Sequence, residues 1–194
     1  MTPRALLTLC ALCALCALPG CAPSLLGGAR RAAAADALAR RGEALIAEGE
    51  RGEPATPTAA HASALALTRA VYDADPALAE RLRGALSADD LRGAGVRRGG
   101  RPRVGDLLVF RQHPDSLDLA VVLEVRGARL RAVGLLRGAA REVRLDLDAP
   151  STRRIDGEVV NTYLRKARPA EGDEGGAECP CLAGELLVDV RALF

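Results

Sequence analysis

A chain of 194 residues, 49% hydrophobic, with 27 basic and 25 acidic side chains is long enough for one domain with a buried core. Its formal net charge of +2 gives no general attraction to nucleic acid or to an anionic surface. The aromatic residues are Tyr72, Phe110, Tyr163 and Phe194, with no Trp, which argues against the stacked-ring platforms that grip sugars and single-stranded nucleic acid.

The chain opens Met1-Thr2-Pro3-Arg4, runs apolar from Ala5 to Leu18 and reaches Leu18-Pro19-Gly20-Cys21. A basic start, a short apolar core and small residues before a cut form the pattern of a secretory signal; the core falls short of the ~20 apolar residues of a bilayer span. A cysteine directly after Leu-Pro-Gly resembles the processing site of bacterial lipoproteins. That resemblance implies removal of residues 1–20 and acylation of Cys21 with a diacylglycerol and a further chain of the palmitate class. Each buried methylene contributes ~0.8 kcal/mol, so several chains hold a protein to the membrane. Pro19 stands where Ala or Ser is more usual, and an ordinary cleaved signal is the alternative. Ala22 and Pro23 follow, without the aspartate that keeps enterobacterial lipoproteins in the inner membrane. The expected location is therefore the outer membrane, facing the periplasm.

The following segment, Ala22 to Ala29, reads as a tether. Alanine and leucine interleaved with charges predict a helix from Arg30 to Glu50, stopped near Gly49 and Gly52. Gly52 to Thr58, with Pro54 and Pro57, is a linker. A second helix is predicted over Ala59–Tyr72 and a third over Asp75–Leu86, with Asp73 or Asp75 as cap and Pro76 at its first position. Gly93 to Arg103 reads as a loop. Four strands are predicted next, Leu107–Phe110, Leu119–Val125, Arg129–Leu136 and Ala140–Leu147. The last places Val143, Leu145 and Leu147 on one side and Arg144 and Asp146 on the other. Gly127 and Gly138 mark short turns, so the strands form an antiparallel meander. Leu182 to Leu193 is predicted as a closing helix. Helices first and strands afterwards give an α+β fold, divided into a signal (1–20), a tether with one helix (21–54) and a domain (55–194).

Cys10, Cys13 and Cys16 leave with the signal. If Cys21 carries lipid, Cys179-Pro180-Cys181 is the remaining pair. A bridge across one residue would be strained and redox-labile; two thiols or a loop-pinching bridge are the plainer readings. His61 and His113, like Asp89 with Asp90 or Asp115 with Asp118, read as solvated positions rather than catalytic couples. No phosphate loop, dinucleotide fingerprint or spaced metal-ligand set occurs, so no cofactor or metal is expected.

Arg103-Val104-Gly105-Asp106-Leu107-Leu108-Val109-Phe110, a short loop, then Asp118-Leu119-Ala120-Val121-Val122-Leu123-Glu124-Val125 resemble the barrel segment of the NlpC-type cell-wall peptidases. In that family Gly-Asp-Leu-Val-Phe is followed by a strand that begins with the catalytic histidine. The resemblance, over about residues 55–194, implies a papain-like architecture with a sheet or small barrel of four to six strands and a nucleophilic cysteine at the start of an upstream helix. Ser63-Ala64-Leu65-Ala66-Leu67-Thr68-Arg69-Ala70-Val71-Tyr72 takes the place of that helix. The nucleophile position then reads Ala64, the base position Asp118, and the third polar position falls near Gly134. A methyl group cannot attack a carbonyl, and a carboxylate with an ordinary pKa near ~3.9 is a poor proton donor at neutral pH. The resemblance thus implies an inactive relative, a pseudoenzyme that binds peptidoglycan peptide or an envelope protein, with Asp118 as an acceptor for an ammonium or amide. An active hydrolase with a nucleophile relocated to Cys179 or Cys181, and a structural envelope protein without ligand, are the competing readings.

Overall fold

The computed structural model describes residues 23–51, 63–113, 116–136, 138–165 and 181–194. Four helices come first, α1 (Pro23–Arg51), α2 (Ala64–Tyr72), α3 (Pro76–Leu82) and α4 (Ala88–Ala94). The strands β1 (Val96–Arg97), β2 (Leu107–His113), β3 (Ser116–Arg126), β4 (Arg129–Leu136) and β5 (Ala139–Asp146) follow. Two short pairs come next, β6 (Arg154–Ile155) with β7 (Glu158–Val159), and β8 (Tyr163–Arg165) with β9 (Cys181–Leu182). One helical turn, α5 (Ala183–Leu186), leads into β10 (Leu187–Ala192). Six strands form one sheet in the order β1-β10-β2-β3-β4-β5, antiparallel at every step. The fold is α+β, with the expected meander from β2 to β5. Ala34–Phe194 is one compact unit, which includes the second part of α1.

Local chemistry sets the helix starts. The Ser63 hydroxyl accepts from the Ala66 N–H at 3.2 Å and opens α2. The Asp75 carboxylate accepts from Ala77 and Leu78, both at 3.0 Å, with Pro76 at the first helical position of α3 as its sequence predicts. Ser87 and Asp90 form a reciprocal capping box for α4, a helix the sequence reading did not anticipate. Gly127 and Gly138 have φ of +64° and +78° and turn β3 into β4 and β4 into β5.

Two expectations, at the start of α1 and at the end of the chain, are corrected. The tether predicted over Ala22–Ala29 is helical from Pro23 onward: proline suits a first helical position, and the helix runs through Gly27 and Gly28 into the alanine-rich sequence that follows. The described helix ends at Arg51, near Gly49 and Gly52 as expected; within it a Cβ at Gly49 would lie 2.2 Å from the Ala140 carbonyl oxygen, so glycine is what lets the helix run against β5. The closing helix predicted over Leu182–Leu193 is one turn followed by a strand. Val188 and Val190 favour extended backbone, and the place between β1 and β2 supplies hydrogen-bond partners on both edges. The predicted linker, Gly52–Thr58, and the residues 59–62 lie outside the described residues.

Two apolar layers sandwich the sheet. Leu107, Val109, Leu119, Val121, Leu123 and Val133 pack against Leu38 and Leu45 of α1, Leu67, Val71 and Tyr72 of α2, Leu78 and Leu82 of α3 and Leu91 of α4. Leu108, Phe110, Ala120, Val122, Leu130, Ala132, Val143 and Leu145 form the opposite layer with Ala183, and Leu164, Leu186 and Leu187 close over it. Two-residue alternation along β2 and β3 therefore serves both layers.

The Gly105-Asp106 pair steers the chain into the sheet. Gly105 has φ +85° and a Cβ would collide with the Phe194 ring at 2.5 Å. Asp106 is buried; its carboxylate accepts from the Arg103 N–H at 2.7 Å and from the Arg98 guanidinium at 2.6 Å. Tyr72, fully buried, donates its hydroxyl to the Gly105 carbonyl at 3.0 Å. Burial, and then the Asp106 charge, push the Tyr72 phenol well above its ordinary pKa, so it remains a donor. The most distinctive motif of the sequence is thus part of the scaffold.

Candidate functional site

Ala64 is the first residue of α2, half-buried against the helix-facing layer. Asp118 pairs with Phe110 across β2 and β3. Leu117 and Leu119 belong to the helix-facing layer and Ala120 to the other, so alternation puts Asp118 on the face away from α2. Gly134 lies opposite Ala120 in β4 and shares that face; a Cβ there would meet Val143 at 2.9 Å and Ala120 at 3.3 Å. The structure brings Asp118 and Gly134 together around a slot of about 10 Å³, with Phe110, Val143 and Leu164, and leaves Ala64 on the opposite face. Close packing is the reason the third position carries no side chain.

Beside that slot, and sharing Leu136 and Leu164 with it, lies a groove of about 710 Å³. Its walls come from the end of α1 (Glu50), from β5 (Arg141, Glu142), from Arg153 just before β6, and from Asn161, Thr162 and Tyr163 at the entry to β8, over Leu136, Val159 and Leu164. The Arg153 guanidinium sits 4.6 Å from the centre of the Tyr163 ring, a stacking that orients the cation while leaving its N–H groups for a ligand. Among the described residues Arg141, Arg153 and Glu50 have no ion-pair partner. Sequence reasoning missed the groove because its residues come from segments that only the fold adjoins.

Asn161 makes the wall rigid. Fully buried, it accepts from the Asp146 N–H at 3.1 Å and donates to the carbonyls of Ala149 at 2.9 Å and Thr152 at 2.6 Å. Thr162 adds a hydroxyl that accepts from the Arg144 N–H at 2.9 Å, and its own N–H donates to the Arg144 carbonyl at 2.9 Å. The edge of β5 is thereby tied to the residues that carry Tyr163. The Asp156-Gly157 turn between β6 and β7, with φ of +50° and +83°, is the hairpin signal that could have revealed this region from sequence.

A second hollow, of about 410 Å³, is saturated by its own charges. Arg131 bonds Glu43, Glu124 at 3.0 Å and Glu142 at 3.4 Å, while Arg129 reaches Glu158 at 3.0 Å and Asp146 at 3.4 Å. Hydrogen bonds from Arg131 and then Arg126 hold the Glu124 carboxyl below its ordinary range. With its guanidinium and carboxylate groups already satisfied by each other, this network offers a ligand little.

Cys181 lies half-buried in β9, opposite Arg165; Cys179, Cys21 and His61 lie outside the described residues, as do Asp115 and the side chain of His113. Asp90 is occupied as the α4 cap, and Asp89 faces Arg92 at 3.9 Å. Among the described residues no group of three His, Cys, Asp or Glu side chains is placed to hold a metal, and no helix is long and apolar enough to cross a membrane. No family model matches the chain, and neither a curated protein nor a solved structure is found to match it.

Proposed function

We propose that this chain is a lipoprotein of the outer membrane, anchored through acyl chains on Cys21 and facing the periplasm, whose domain is a catalytically inactive NlpC-like, papain-like unit that binds peptidoglycan peptide. The observation that carries the reading is the groove over Tyr163. It presents two guanidinium groups, Arg141 and Arg153, and two carboxylates, Glu50 and Glu142, the latter bound by Arg131 and Arg144, above an apolar floor. A short peptide bearing carboxylates and an amine is the ligand that such a mixed lining fits. Ala64 supplies no nucleophile, and Asp118 stands across the sheet from it. The competing hydrolase reading gains no support from geometry, since Cys181 is the sole member of its proposed centre whose side chain is described.

The test is a titration of the full chain, solubilised in detergent, with a cell-wall stem peptide. Arg153→Ala is expected to weaken binding about tenfold, the loss of a charge-assisted hydrogen bond, with an unchanged melting temperature. Unchanged affinity in that variant would remove the groove from the account.

A further inference from the structure

The outer edge of the sheet at β5 is covered on both sides of one residue. Leu136 to Arg129 of β4 pair with Ala139 to Asp146 of β5 without a shift in register, and the next residue, Leu147, donates its N–H to the Ala128 carbonyl at 3.0 Å. The odd-numbered residues of β5 therefore turn their main-chain groups toward β4, while Ala140, Glu142, Arg144 and Asp146 turn theirs away from the sheet. Bonds on the outer side follow that phase. The Arg144 N–H donates to the Thr162 hydroxyl and its carbonyl accepts from the Thr162 N–H, both at 2.9 Å, and the Asp146 N–H donates to Asn161 Oδ1 at 3.1 Å. At the other end the Ala140 carbonyl oxygen lies against Gly49 of α1. Between these covers stands Glu142, whose N–H and carbonyl have no hydrogen-bond partner among the described residues.

That opening lies in the wall of the groove over Tyr163, which Arg141 and Glu142 both line. From Ala140 to Arg144 the edge runs about 13 Å, room for about three residues of extended chain. A long strand is stopped by α1 at one end and Thr162 at the other; a short peptide fits between them. An unpaired donor and acceptor on an edge residue are what an added strand uses, main-chain bonds giving affinity and alternate side chains giving choice. The Glu142 carboxylate is already engaged, by Arg131 at 3.4 Å and by Arg144. Arg141 shares the face of Val143 and Leu145 by alternation and has no ion-pair partner among the described residues. A carboxylate on the peptide residue opposite Arg141 therefore comes beside a guanidinium.

We propose that Glu142 holds a short extended peptide by main-chain pairing along the β5 edge, and that Arg141 selects an acidic residue next to the paired one. The inference rests on the reading of the groove as a peptide site and adds the mode of recognition: strand addition over about three residues, tolerant of side chains except opposite Arg141.

The experiment is amide hydrogen exchange, resolved to single residues, on the detergent-solubilised full chain with and without a saturating cell-wall stem peptide. In the free chain the Glu142 amide is expected to exchange about tenfold faster, or more, than those of Arg141 and Val143, which face β4. A slow Glu142 amide there overturns the proposal before any ligand is added. Bound peptide is expected to slow Glu142 about tenfold. Glu142→Pro, which removes the N–H at an edge position that admits proline, is expected to bind about fivefold more weakly than Glu142→Ala, which keeps it; matching melting temperatures verify the two folds. Arg141→Gln is expected to weaken binding about fivefold, and unchanged affinity overturns its role in selection. Peptide that binds, and is weakened by Arg153→Ala, with no slowing at Glu142 overturns main-chain pairing and leaves the groove as the site. Absence of binding removes the reading of the groove and this inference with it.

Discussion

Gly49 and Asp189 show how single residues hold this architecture. Gly49 sits in a helix, where glycine ordinarily costs about 1 kcal/mol, because the Ala140 carbonyl oxygen occupies the space of a Cβ. Gly49→Ala is expected to destabilise by about 2 kcal/mol in chemical denaturation, whereas Gly28→Ala, with nothing within 4 Å, is expected to be neutral or slightly stabilising. At Asp189, burial acts to raise the carboxyl pKa, but hydrogen bonds from Arg92 and Arg191 outweigh it and hold the group below its ordinary value. A lowered folded-state pKa means stability that is complete above the unfolded value of about 3.9 and is lost as pH falls through the folded one. Denaturation midpoints should therefore drop below about pH 4 in the native chain, and the drop should be shallower in Asp189→Asn. An equally steep decline in the variant would refute the assignment.

At the scale of elements, legibility followed local signals. Asp75-Pro76 announced α3, Gly127 and Gly138 announced the meander, and the alternation Val143, Leu145 announced β5. The sequence signal failed where tertiary partners decide. Leu186-Leu187-Val188-Asp189-Val190 has no helix breaker, and the open position between β1 and β2 turns the weak extended preference of its valines into a strand. The capping box Ser87-Ala88-Asp89-Asp90 went unread, because its helix is seven residues long, too short for a periodic pattern. Because β10 is internal to the sheet, a chain ending at Leu186 is expected not to fold. Retention of cooperative unfolding and native circular dichroism in that truncation would contradict the strand's central place.

For the whole molecule, the order of helices before strands announced the α+β class, whereas composition averaged away the arrangement of charge. Arg131 and its neighbours neutralise one another, Arg141 and Arg153 line an uncommitted groove, and Arg97, Arg101 and Arg103 gather at the opposite end of the sheet order. Resemblance to the NlpC-type peptidases pointed to Ala64, Asp118 and Gly134, and the fold assembles the last two without the first. A register argument from sequence could not see this, because a strand position fixes its face only once the neighbouring strands and helices are in place. The candidate groove was not legible: Tyr163 counted only as one of four aromatic residues, too few for a stacked-ring platform, and Glu50, Arg141 and Arg153 meet it through the fold alone.

Binding without cleavage is the central claim. Its most direct test is incubation of the full chain with purified peptidoglycan sacculi, with sedimentation to follow bound protein and mass spectrometry to follow released fragments. The account predicts that the protein sediments with the sacculi, that Arg153→Ala reduces the bound fraction, and that no fragments appear. Released stem peptides, abolished by replacing Cys179 or Cys181, would contradict it and identify a hydrolase with a relocated nucleophile.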